Sequence, residues 1–361
     1  HRPQRGHCRA RCGFDLPIVS ELHQGLPAHG LEHAPYAGGV PTAQADFKTC
    51  AGDFVVEEVL GFEPSGDGEH LFLLLQTDDH NTRYTVKCLA RLFGVSQRQV
   101  SYSGLKDRRG LTSQWFSIHL PGKDPQPDQQ QLAAQGIRLL RFGRHHRKLR
   151  IGTHKSNRFF IRLRNARNPE DLQSRAAAVA ASGVPNYFGP QRFGHHGANI
   201  DEALAYAGEG KLPEDRAQRS RVLTTLRSWL FNGELGQRVR AGTWQAWQPG
   251  DPIMLDGNQS YFHEAAWSTT LQARYNGGDI HLGGYLAGAE SAGVPPSILA
   301  LFKLANMKVD VRALRLLPHN LVLGSDTLGE TLEFELPKGA FATTVLRELV
   351  KLKDLSILRA K

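Results

Sequence analysis

Long apolar runs are missing from this chain of 361 residues. No stretch approaches the roughly 18 consecutive apolar residues that a membrane-spanning helix needs. Cysteine is scarce: there are 4, without the spacing of a secreted disulfide scaffold, which points to a reducing, cytoplasmic setting. His7, Cys8 and Cys12 make at most half a zinc site, because no second Cys/His pair is spaced to complete a tetrahedron. No metal and no cofactor is therefore expected, and Cys50 and Cys88 read as small buried hydrophobes. Acid is short relative to base, 35 Asp and Glu against 44 Lys and Arg, for a net charge of +9. That excess calls for an anionic partner. No basic amphipathic helix with a strong apolar face is present to make that partner a lipid surface. Nucleic acid fits better. Residues 1–30 lack periodic apolar positions and the apolar stretch of a signal peptide, and read as a disordered or appended arm.

What is there suits two globular domains: 40% hydrophobic and 22% charged residues over this length. Segments 53–60, 70–76, 137–142, 148–151, 159–164 and 331–336 have strand patterns, the fifth with clean alternation. Asn81 caps a helix expected to run through Phe93 and stop at Gly94. Asn168-Pro169-Glu170-Asp171 combines a cap, a first-turn proline and acids against the helix dipole, for a helix ending near Ser182. Beyond Gly183 helical patterns cover 200–208, 219–240 and 296–303, separated by Trp-, Gly- and Pro-rich stretches. A closing helix is expected over 343–352.

The loop Ser103-Gly104-Leu105-Lys106-Asp107-Arg108-Arg109-Gly110 is the most informative stretch. One carboxylate sits among three cations, bracketed by glycines, between segments that read as a strand pair (Val100 and Tyr102 leading in, 115–120 leading out). The cations hold Asp107 ionised, and a short loop on a rigid strand pair keeps a reactive group still. By itself such a run is a charged turn.

Its surroundings say more. Tyr102-Ser103-Gly104-Leu105-Lys106-Asp107 with Gly110, Thr112 and Gln114-Trp115-Phe116 resembles the signature of the TruD family of tRNA pseudouridine synthases. Further blocks match in the same order: Lys48 with 53–58, 66–70, 81–83, 144–150, 157–159, 184–189, 191–194, and 339–343 with 346–349. The resemblance covers the chain from about Asp46 to its end. It implies an α+β fold: a pseudouridine-synthase catalytic domain with a mixed, largely antiparallel sheet and flanking helices, interrupted by an inserted α/β domain. The boundaries expected are 31–182 plus 316–361 for the catalytic domain and 183–315 for the insertion.

The resemblance implies isomerisation of a uridine in tRNA, at position 13 in the D arm; that reaction requires no metal, and nothing in the sequence demands more than a monomer. Breaking the uracil–ribose bond requires an anionic group at the sugar, and Asp107 fits as nucleophile or as a base toward a sugar proton. The target base must leave its stack. Phe54, Phe159 and Phe341 match the family's aromatic positions as uracil or nucleoside contacts, although a phenylalanine alone is usually core. Asn157 matches a substrate-side position and can meet an imide edge with donor and acceptor. Lys48 and Lys106 match basic positions for phosphate or active-site electrostatics.

From Phe142 to Arg164 the chain holds eight Lys and Arg, three His and no acid. Arg144, Arg147, Lys148, Arg150, Arg162 and Arg164 are the expected contacts to an RNA backbone, the last two sharing a strand face with Phe160. Gln191 and Arg192 read either as RNA-positioning residues or as a hinge. Two rival readings keep the basic surface: a noncatalytic RNA-binding protein, which has no need of Asp107 among phosphates, and a hydrolytic N-glycosylase, which usually needs a second acid.

Overall fold

The computed structural model describes residues 31, 34–78, 80–106, 110–194 and 197–356; the expected arm and the Cys8/Cys12 pair lie outside them. The chain divides into two compact units. One is Gly38–Val184 rejoined at Leu316, and the other is Pro185–Arg315 with the described residues before Gly38.

The first unit is built on a ten-stranded sheet. Its strands are β1 (Gln44–Phe47), β2 (Phe54–Val59), β3 (His70–Asp78), β4 (Val100–Tyr102), β5 (Leu111–His119), β6 (Ile137–His145), β7 (Ser156–Arg167), β8 (His319–Asp326), β9 (Gly329–Pro337) and β10 (Lys351–Asp354). The main order is β8-β9-β7-β2-β5-β3-β6, with β1 bridging β7 and β10 and with β4 on β5. Only the β2–β5 and β1–β10 pairs run parallel. The sheet is mixed and largely antiparallel, and the fold is α+β.

Residue choice explains the layering. In β3 the run Leu71–Leu75 is buried without a break, the pattern of a strand covered on both faces. In β7 Phe159, Ile161 and Leu163 are buried while Phe160, Arg162 and Arg164 lie half-buried on the opposite face. The inward face of β7 packs with Phe54, Val56, Leu332, Phe334 and the closing helix in one core, and Leu71, Leu73, Val86, Leu89 and Ile118 form a second.

The helices of this unit are α1 (Thr82–Leu92), α2 (Gln129–Ala133), α3 (Pro169–Ser182) and α4 (Ala342–Leu349). Asn81 Oδ1 accepts from Tyr84 N at 2.8 Å, and Asn168 caps α3, which Gly183 ends. The expected helix over 343–352 is shorter than its pattern, because residues 351–354 leave it to pair with β1. Residues 148–151 are not a strand. Leu149 N instead donates to Ser117 Oγ at 2.9 Å, and β6 runs on to His145 along β3. The expected short hairpin at 103–110 is wider than a turn. Its ladder ends at Tyr102 opposite Phe116, and residues 111–115 are drawn onto β2 and β3. Cys88 is buried but Cys50 is exposed: its backbone N is held by Asp53 Oδ2 at 3.0 Å, which fixes it in a loop.

The second unit carries four helices, Ala198–Glu209, Arg216–Arg240, Thr269–Asn276 and Pro296–Leu304. Its four-stranded antiparallel sheet runs in the order 261–262, 253–255, 280–286, 310–313. Gly283 and Gly284, from one of the Gly- and Pro-rich stretches, lie inside a strand. A Cβ on Gly284 would meet Leu314 at 2.8 Å and Phe231 at 3.0 Å, so glycine lets the 25-residue helix close on the sheet.

Candidate active site

Asp107, with Arg108 and Arg109, lies outside the described residues. What the structure shows is how both ends of that loop are held. Ser103 O accepts from Gly152 N at 2.7 Å, and Gly104 O accepts from Gln114 Nε2. Lys106 N donates to Thr82 Oγ1 at 3.1 Å, and Thr82 in turn donates to Gln114 at 3.0 Å. At the other end Gly110 has φ +146°, and a Cβ there would strike the Phe54 carbonyl at 2.7 Å and the Phe54 ring at 2.8 Å. Glycine is the residue that fits so close an approach.

Next to this loop lies a buried polar chain. Lys106 Nζ is 2.8 Å from Glu58 Oε2 and donates to Asn157 Oδ1 at 2.6 Å. Asn157 Nδ2, which can only donate, faces His154 Nε2 at 3.5 Å. That places the imidazole proton on Nδ1, which donates to Ser103 Oγ at 2.5 Å, while His154 N donates to the same oxygen at 2.8 Å. Burial, with Lys106 and Lys338 adding repulsion, pushes His154 down to about 4, so the ring is neutral. Glu58 is fully buried, which pushes its carboxyl up, although Lys106 and the Trp115 N–H pull the other way. The Lys106 nitrogen 2.8 Å away offsets part of the cost of burying that carboxyl.

Expected residues are thus brought together in two groups. Lys106 meets Asn157 directly. Lys48 Nζ lies 4.2 Å from the Phe54 ring centroid, and Phe54 is 6.2 Å from Phe159. Phe54 and Phe159 belong to the core of the sheet unit and are each 6% exposed, so little of either ring is open to a ligand. Phe341 is half-buried at the start of α4 and joins neither group by a ring contact among the described residues. Three residues were given no site role by sequence reasoning: Glu58, His154 and Ser103. A signal for Glu58 existed, since it continues the inward alternation Phe54, Val56 of β2, where an acid has no business unless paired.

The expected basic track looks different once folded. Arg164 makes a two-pronged pair with Asp53 at 2.8–3.0 Å. Arg162 binds Asp326 Oδ2 and lies 3.6 Å from Asp53, and Arg144 holds Asp124 at 2.6 Å. The Asp53 bond raises the Arg164 pKa, and Asp326 raises that of Arg162. Burial works to raise the Asp53 pKa, but Arg164 and the Cys50 N–H more than offset it. Arg147, Lys148 and Arg150 are exposed. Among the described residues no group of three or more His, Cys, Asp or Glu could hold a metal, and no helix is long and apolar enough to cross a membrane.

A family model described as tRNA pseudouridine synthase D (TruD) matches residues 31–201. The chain is 40% identical over 338 residues to tRNA pseudouridine synthase D of Methylococcus capsulatus, covering 89% of this chain and 95% of that one. It is 43% identical over 336 residues to the protein of that name from Pseudomonas syringae pv. tomato, covering 88% and 94%. A crystal structure titled putative tRNA pseudouridine synthase D (TruD) from Methanosarcina mazei shares the fold, with a TM-score of 0.62 at 22% identity over 93% of this chain and 98% of that one.

Proposed function

The chain belongs to the TruD family of tRNA pseudouridine synthases, and from that premise we propose that it isomerises a uridine of tRNA, at position 13 in the D arm, to pseudouridine. The bond between uracil N1 and ribose C1′ breaks, the base turns, and C5 bonds to C1′. N1 gains a proton and C5 loses one. Asp107 acts on the everted nucleotide, either as nucleophile at C1′ or as base toward a sugar proton. Asn157 meets the imide edge of the uracil, and Phe54, Phe159 and Phe341 border the base. Lys48 and Lys106 supply positive charge. Arg147, Lys148 and Arg150 face the RNA backbone, as do Arg144, Arg162 and Arg164 in so far as their acid partners release them. In this reading the protein works as a cytoplasmic monomer, without metal or cofactor, through a catalytic unit (31–182 with 316–361) carrying an inserted one (183–315).

The observation that supports this most is the clamping of the loop. Ser103–Lys106 and Gly110 are held by side chains and backbone from four separate stretches of chain, at Phe54, Thr82, Gln114 and 152–154. A surface turn needs no such anchorage, whereas a reactive group between those anchors does.

The test uses unmodified tRNA tritiated at uracil C5. The parent releases tritium, Asp107→Asn and Asp107→Ala release none, and both variants keep tRNA affinity near that of the parent. Turnover by Asp107→Ala equal to that of the parent would sink the assignment.

A further inference from the structure

The second unit treats its arginines in two ways. Arg238 is paired with Asp251, and Arg221 with Glu202. Arg227 and Arg315 are bonded to backbone carbonyls, those of Ala287 (2.9 Å) and Tyr275 (2.8 Å). Arg315 also lies 3.8 Å from the Tyr275 ring centroid, with a buried Nε that has no partner among the described residues. Arg192 and Arg312 differ in sharing one ring. Both guanidiniums lie against one ring, that of Phe188, with their central carbons 5.5 and 4.1 Å from its centroid. Both side chains are half-buried.

Arg312 is fixed by Asn186, whose O and Oδ1 accept from Nε and an Nη at 3.1 and 2.7 Å. Arg192 Nε is buried, with no hydrogen-bond partner among the described residues. No carboxylate among the described residues offsets either charge. Burial pushes both pKa values down, that of Arg312 to about 9 with Arg192 adding repulsion.

Two like charges held on one ring, one with an idle buried donor, are costly unless something anionic joins them. The ring contacts hold both cations at one platform, near enough for Arg192 to repel Arg312. Asn186 leaves one Nη of Arg312 unused, and the Arg192 side chain makes no hydrogen bond among the described residues, so the two side chains together keep donors for more than one oxygen of an oxyanion. We infer that Arg192 and Arg312, mounted on Phe188 and braced by Asn186, form an oxyanion site that takes a phosphodiester of the RNA substrate. The assignment of the oxyanion to RNA rests on the proposed function; the site itself does not.

Tritium release is followed in parallel with equilibrium binding of an unmodified tRNA transcript across a salt series. Arg192→Met keeps the stem and removes the charge. It weakens binding roughly ten-fold, the value of one hydrogen-bonded charge, and lowers the slope of log affinity against log salt by about one. Arg312→Lys keeps the charge and removes the fork, so affinity falls while the slope stays. Without anion, Arg192→Met melts no lower than the parent, because it removes an unpaired half-buried cation. Inorganic phosphate raises the melting temperature of the parent and not that of Arg192→Met.

Unchanged tRNA affinity and slope in folded Arg192→Met overturn the proposal, as does a lower melting temperature with RNA binding intact, which marks a structural residue. Phosphate stabilisation without any effect on tRNA binding leaves a small-anion site and overturns the assignment to RNA. Should Arg192→Met not fold, unchanged affinity in Arg312→Lys has the same force. A parent that shows these binding effects but releases no tritium loses the isomerase reading and keeps the site.

Discussion

Arg162 and Arg164 in the sheet unit carry the same charge as Arg192 and Arg312 in the second unit, yet the fold treats them oppositely. The first pair meets Asp53 and Asp326, and its pKa values rise. The second pair meets a phenylalanine, and its pKa values fall. A run of basic residues is therefore a poor guide to a binding surface. Charge available to a ligand is what remains after the protein has neutralised itself, and that subtraction is made by residues far away in sequence.

The largest expected effect comes from breaking the neutralised side. Asp53 is fully buried and gathers Arg164, Arg162 and the Cys50 N–H. Asp53→Asn should lower unfolding free energy by about 3 kcal/mol, the usual cost of removing one partner from a buried pair, read from a denaturant midpoint. A loss under about 0.5 kcal/mol, typical of a surface pair, would remove the distinction drawn above.

Next is Glu58→Gln, which strips Lys106 of its counter-charge without changing shape. Tritium release should fall about 100-fold with tRNA affinity within two-fold, since small displacement of a reactive loop costs about that much. An equal loss of affinity would make Lys106 a phosphate contact instead.

The neutral His154 sharpens the comparison by pH. Its folded pKa, about 4, lies below the ordinary 6.5, so unfolded chains take up the proton first. Its contribution is fully present above about pH 6.5 and is lost as pH falls toward 4. The stability gap between parent and His154→Asn should narrow by about 2 kcal/mol over that window; a gap constant with pH would show a charged ring in the fold.

The smallest effect is expected for Arg162→Gln, whose guanidinium is already engaged. Its tRNA affinity should change less than two-fold, consistent with an ion pair that gives up little to RNA. A loss as large as that of Arg192→Met would return the binding surface to the β7 face.

Local rules carried much of the fold. Asn81, Asn168 and Pro169 marked helix starts within a residue, because capping is chemistry between near neighbours. The alternation of 159–164 told which side of β7 would be buried, because the strand period is fixed by backbone geometry. Pairing did not reveal itself in this way. Residues 351 and 352 read as the end of a helix and instead begin a strand, because β1, some 300 residues earlier, offers its edge. Residues 148–151 have a strand pattern, but Leu149 is drawn instead to Ser117 of β5.

In the candidate site, Lys106 and Asn157 were named from the sequence, yet the bond between them spans 51 positions and is closed by Glu58 and His154, which were not. The amino-acid order by itself settled where chains turn, which side chains alternate inward, and that base exceeds acid. The tertiary structure alone decided which cations keep their charge for a partner. Electrostatic attraction acts through space over a few ångströms, and sequence separation has no bearing on it.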